Sequence, residues 1–126
     1  MLRDSLGRGQ VYPALIPRLV QRYGAATGSI LKTVQADWGL AEPLCPHHPF
    51  IQAEVIHAAR EEMAMTLSDL LFRRLGIGWS ACQGLDALEP AARRMGEALG
   101  WSDSERRRQM DFYRGEIALS RRALSP

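Results

Sequence analysis

The chain has 126 residues, sixteen basic and fourteen acidic side chains and a net charge of +2. That is the length of one ordinary domain and too little charge to imply a nucleic-acid or anionic-membrane partner. Hydrophobic residues at 46% exclude a disordered chain, and the longest uncharged run, about eleven residues, falls short of the ~20 that span a bilayer.

In chain order, residues 1–12 read as a polar arm. Arg3, Asp4 and Arg8 interrupt its start, so a signal-peptide core is not expected and the reading is a soluble, cytoplasmic protein. Pro13 and Pro17 suit the opening of a first helix over Leu15–Tyr23, since the first amides of a helix have no intrahelical acceptor. Gly24 stops it, and Ile30, Leu31 and Val34 give a second helix over about Ala26–Asp37, with Gly39 beyond its end. Three prolines in Pro43–Pro49 make a loop. A long helix is expected from Phe50 to about Met65, with Ile51, Val55, Ala58, Ala59 and Met63 on its apolar face and Glu54, Arg60, Glu61 and Glu62 around the rest.

Thr66 and Asp69 then have the spacing of a helix start, hydroxyl and carboxylate satisfying free amides. Leu67, Leu70, Leu71 and Leu75 form the stripe of a short helix that carries Arg73 and Arg74 in its last turn. Leu75–Gly84, rich in glycine, is a loop. Leu85, Leu88, Ala92, Met95 and Leu99 predict another helix, ended by Gly100. Ser102 and Glu105 form a capping box for the last, whose stripe is Met110, Tyr113, Ile117 and Leu124. The expectation is an all-α fold, a single compact bundle of about six helices, with the helical domain over 13–126.

Little here reads as catalytic. Gly7-Arg8-Gly9 follows no strand, Lys32 is outside any phosphate-loop context, and no nucleophile elbow occurs. Cys45, His47, His48 and His57 lack the convergence zinc needs, and no metal is expected. Cys45 and Cys82 read as small buried hydrophobes. Glu54, Glu61 and Glu62 are interleaved with Arg60, which suggests a solvated or ion-paired face over an acid–base pair. The Met63–Gly76 segment also resembles the second half of a helix-turn-helix, so a stand-alone interaction or DNA-binding module is the rival reading. The adjoining acidic residues and the low net charge oppose it.

The stretch Ala53-Glu54-Val55-Ile56-His57-Ala58-Ala59-Arg60-Glu61-Glu62-Met63-Ala64-Met65-Thr66-Leu67-Ser68-Asp69-Leu70-Leu71-Phe72-Arg73-Arg74 carries a more specific likeness. It resembles the signature A-E-V-x-x-A-x-R-x-E-x-A-x-T-L-x-D-x-L-x-R-R of the C-terminal helical domain of FAD-dependent glycerol-3-phosphate dehydrogenases. The likeness extends to Leu19–Gly24, Glu42–Pro46 and Met95–Trp101 in the same order. His57 and Leu75 depart from the pattern, where an aromatic residue and a threonine are common.

The resemblance implies a parent enzyme that oxidises sn-glycerol 3-phosphate to dihydroxyacetone phosphate on FAD and passes electrons to quinone. It implies a fragment with no catalytic, cofactor or metal residues of its own, inactive alone. The expected partner is the FAD-binding catalytic domain of the parent, with dimer contacts left open and neither nucleic acid nor membrane insertion. The location is cytoplasmic, with the parent peripheral on the inner face of the membrane. Structural or interdomain roles fall to Glu54, Arg60, Glu62, Thr66, Asp69, Arg73 and Arg74. One arginine of the Arg73–Arg74 pair is expected buried in an ion pair, with Glu62 as a candidate partner, and the other facing the catalytic domain.

Overall fold

A computed structural model describes residues 15–124, with side chains to residue 121. The arm over 1–12, Pro13 and the side chain of Leu124 lie outside the described residues. Among the described residues the regular structure is all helical, as the apolar spacing predicts, and the chain divides into two units, Met1–Ala41 and Glu42–Pro126.

In the first unit, α1 spans 15–23 and α2 spans Thr27–Ala36. Leu15 and Leu19 on α1, and Ile30 and Val34 on α2, are buried at four-residue spacing, one stripe per helix. Gly24 takes a left-handed φ of +56° between them and opens a 3-10 turn over Gly24–Ala26. α2 ends at Asp37, before Gly39. There the chain becomes extended, and the Asp37 carboxylate accepts the Gly39 N–H at 3.0 Å.

The second unit begins with the proline loop, closed at its base by an antiparallel bridge between Pro43 and Ile51. The Leu44 and Gln52 amides donate to the carbonyls of Phe50 and Glu42. Next come α3 (Gln52–Glu61), a short helix over 67–74, α4 (Leu88–Leu99) and α5 (Asp103–Leu124). Val55, Ala58 and Ala59 of α3 share one core with Ala91, Ala92 and Met95 of α4. Alanines on both let the backbones approach closely, and each larger apolar side chain buried there contributes ~1.5–3 kcal/mol. Leu67, Leu70 and Leu71 of the short helix, with Tyr113 and Ile117 of α5, complete that core.

Two expected elements differ. The helix predicted to reach Met65 stops at Glu61, because Ala64 turns inward and its amide returns to the Ala58 carbonyl at 3.0 Å. Met63 is thereby held at φ +60° and exposed, off the apolar face it was assigned to. The helix predicted from Leu85 begins at Leu88. Gln83 and Gly84 are both left-handed, and the turn before α4 advances through successive three-residue bonds, Gln83 to Ser80, Leu85 to Cys82 and Ala87 to Gly84. Pro90 then occupies the first turn of α4, where its missing N–H has no acceptor to lose.

The end of α4 and the start of α5 follow expectation more closely. Gly100, at φ +75°, closes α4, and the amides of Gly100 and Trp101 both return to the Gly96 carbonyl. Ser102 Oγ accepts the Glu105 N–H at 3.1 Å, half of the expected capping box. The Glu105 carboxylate turns forward along α5, onto Arg108 and Gln109.

Candidate functional site

The signature residues build the junction between α3 and the short helix. Thr66 Oγ1 accepts the Asp69 N–H at 3.1 Å, and the Asp69 carboxylate reaches back to the Met65 N–H at 3.2 Å. This is the cap expected of Thr66 and Asp69, with the reciprocal bond landing one residue earlier. Ser68 Oγ donates to the Glu116 carboxylate, tying the junction to α5.

From Asp69 to Arg74 the helix is under-wound, and the Leu75 N–H reaches the Leu70 carbonyl five residues back at 2.9 Å. With more than four residues per turn, Leu75 comes almost over Leu70 and Leu71, and all three are buried. Gly76 ends the helix at φ +73°. A Cβ on Gly78 would lie 2.6 Å from the Phe72 ring, so glycine is what lets the chain pass beneath it. Trp79 then stands edge-on to Phe72, ring centroids 4.9 Å apart.

Beyond it, Ser80 Oγ lies 2.6 Å from the Ile77 carbonyl and 3.5 Å from Cys82 Sγ, with His48 Nε2 at 3.2 Å, so its one proton can serve the carbonyl beside a thiol and the sulfur beside a thiolate. Burial pushes the Cys82 thiol up, but the Ser80 hydroxyl and the Gly84 and Asp86 amides outweigh it and hold the thiol below its usual range. Cys45, by contrast, is a buried member of the core. His47 lies 3.5 Å from Asp86. Among the described residues no three His, Cys, Asp or Glu side chains come together as a metal site, and His57 is half-buried on α3.

The sequence-predicted residues do not converge on one point. Glu54 is fully buried, not on a solvated face, and its carboxylate accepts the Ile51 N–H at 2.7 Å at the start of α3. Arg60 and Glu62 stand at the other end of that helix, Arg60 exposed and Glu62 half-buried. Neither Arg73 nor Arg74 is buried, which corrects the expectation for that pair. Arg73 is 80% exposed and 3.9 Å from Asp69, and Arg74 is exposed. Tighter gathering of the leucines inward leaves both arginines on the outside.

Arg94 of α4 is nearly buried instead, its side chain 12% exposed. Its Nε donates to Gln52 at 2.6 Å and its Nη1 pairs with Glu97 at 3.0 Å. Sequence reasoning passed over it because Arg93-Arg94 reads as one more solvated pair. Gln83 was also missed; only the following Gly84 marks a turn there.

The family model for the C-terminal domain of alpha-glycerophosphate oxidase matches residues 3–106. A Mycobacterium tuberculosis protein named glycerol-3-phosphate dehydrogenase 2 is 26% identical over 108 residues, 85% of this chain and 18% of that protein. A Synechocystis glycerol-3-phosphate dehydrogenase is 33% identical over 99 residues, again 18% of its length. A probable mitochondrial glycerol-3-phosphate dehydrogenase of Caenorhabditis elegans is 34% identical over 81 residues, 11% of its length. The chain thus spans less than a fifth of these curated relatives. No solved structure matches it.

Proposed function

Since the chain belongs to the family of C-terminal domains of alpha-glycerophosphate oxidase and its glycerol-3-phosphate dehydrogenase relatives, we propose that it is an accessory domain of an FAD-dependent enzyme oxidising sn-glycerol 3-phosphate. The product is dihydroxyacetone phosphate, and the electrons pass to quinone. The domain acts by packing on the catalytic part and does no chemistry itself. The described residues do not fit FAD. A dinucleotide cradle is a strand, a glycine-rich turn and a helix N-terminus, and the described residues contain no strand.

The observation that carries the reading is where the signature carboxylates go. Glu54 and Asp69 both accept main-chain amides at helix starts, so two of the acidic groups in the family pattern hold the chain in shape. Thr66 belongs with them. Arg60, Glu62, Arg73 and Arg74 are the members left to interdomain work. The enzyme is cytoplasmic and peripheral on the inner face of the membrane; no described helix is long and apolar enough to cross one.

A chimera tests the reading. The Synechocystis relative is cut before its matched stretch, and this chain is joined in its place. Glycerol-3-phosphate oxidation, followed with a dye acceptor, should be lost on truncation and return in the chimera. A truncated enzyme as active as the intact one, or a folded but inactive chimera, would refute it.

A further inference from the structure

We infer that Met63, Met65 and Trp79, with Arg73 at the rim, form the face of this domain that docks on the catalytic part of such an enzyme. The inference rests on the accessory-domain reading above and specifies the surface it uses.

These side chains are the wrong ones to leave in water. Met63 is 78% exposed, Met65 56% and Trp79 79%, all within seventeen residues of chain. Large apolar and aromatic groups, together with arginine, are the residue types enriched at the centres of protein interfaces. Trp79 is also pre-set. Phe72 supports it edge-on, so part of the indole's freedom is already spent before contact.

Met63 is held at φ +60° where Ala64 turns inward, so the fold itself sets its side chain outward. The other exposed apolar residues of this unit, Phe112 and Leu119, sit two turns apart on regular α5 with open space at Gly115 between them.

The occupant follows from length. In the relatives, the stretch matching this chain is accompanied by more than four-fifths of further protein. A surface that fits here must offer a hollow for an indole and two thioethers, with a carboxylate at its edge for Arg73.

Hydroxyl-radical footprinting, read by peptide mass, compares the chain alone with the chimera described above. Met63, Met65 and Trp79 should label at least about tenfold more slowly in the chimera, while Phe112 labels equally in both. Trp79→Ser in the chimera should return Met63 and Met65 to the rate of the free chain. An active chimera in which the three residues label as in the free chain overturns the docking face and leaves the accessory role standing. Concentration-dependent protection of the free chain also overturns it, in favour of a second copy. A chimera with neither activity nor protection removes the accessory reading and the docking face together.

Discussion

The Tyr113 hydroxyl donates to the main-chain carbonyl of Gln83 at 2.6 Å, fastening a left-handed residue in the turn before α4 to the middle of α5. Arg121 Nε holds the Gln83 side chain from the same helix. One residue in an unfavourable conformation is therefore gripped at both its main chain and its side chain. Tyr113→Phe should cost about 1–2 kcal/mol, because it leaves the carbonyl without its partner. Gly84→Ala should cost more, since a Cβ there would stand 2.6 Å from the Tyr113 hydroxyl at φ +79°. Urea titrations of both variants check the order.

Burial pushes the Tyr113 phenol well above its usual range, and the charges of Cys82 and Glu116 push the same way. An acid whose folded-state pKa is raised lends stability below its unfolded pKa and loses it as pH rises toward the folded one. Stability should therefore fall above pH ~10, the ordinary tyrosine value. Tyr113→Phe, though weaker at neutral pH, should lack the tyrosine-dependent part of that fall. Denaturation midpoints across alkaline pH measure it.

Cys82 titrates with the opposite sign. Its folded-state pKa is lowered, so its contribution is complete above the unfolded thiol value and disappears as pH falls through the folded one. The thiolate is the nucleophile, so iodoacetamide should modify Cys82 at lower pH than an ordinary thiol, and buried Cys45 far more slowly. Ser80→Ala should move the Cys82 midpoint upward. Equal rates at the two cysteines in the native protein would refute this.

Arg94→Lys should destabilise the domain by about 1 kcal/mol or more, because an ammonium cannot reproduce the fork shared between Gln52 and Glu97. Arg73→Lys, at an exposed ion pair, should stay within about 0.5 kcal/mol. Thermal melts of the free chain distinguish the two. In the chimera the ranking concerns activity as well, and there Arg73 should matter more than its stability effect suggests.

Met63 gives a backbone test. At φ +60° a β-branched residue is penalised, so Met63→Val should destabilise by about 1 kcal/mol, while Met63→Gly should cost little. If both behaved alike, the left-handed geometry would not hold in solution.

Much of the helical outline was legible because it depends on local signals. Pro13, Pro17 and Gly24 bounded α1, Ile30, Leu31 and Val34 placed α2, Gly100 ended α4, and Thr66 with Asp69 marked a helix start from their spacing alone. What escaped were features decided by packing between distant segments. Met63 reads as a core residue until Ala64 takes the inward position, and Phe50–Met65 reads as one helix until that happens. The winding of Asp69–Arg74 follows from seating Leu70, Leu71 and Leu75 together, which no local propensity encodes. Arg94 and Arg73 each neighbour a second arginine, and only the tertiary arrangement shows which one is enclosed. The docking face was least legible, since an exposed methionine or tryptophan looks in sequence like any core residue.

The clasp between Pro43 and Ile51 brings the two ends of the proline loop together, so the path into α3 is set at the base of the loop and is independent of its tip. Leu44 and Cys45 anchor the first half in the core, whereas Pro46 and His47 are exposed. Extra residues between those two would lengthen a ring whose closure entropy grows only logarithmically, roughly 0.6 kcal/mol per doubling. The loop is thus a socket: an epitope or fluorophore tag inserted after Pro46 would sit on the outside of the domain while α3 and its buried Glu54 cap stayed in register.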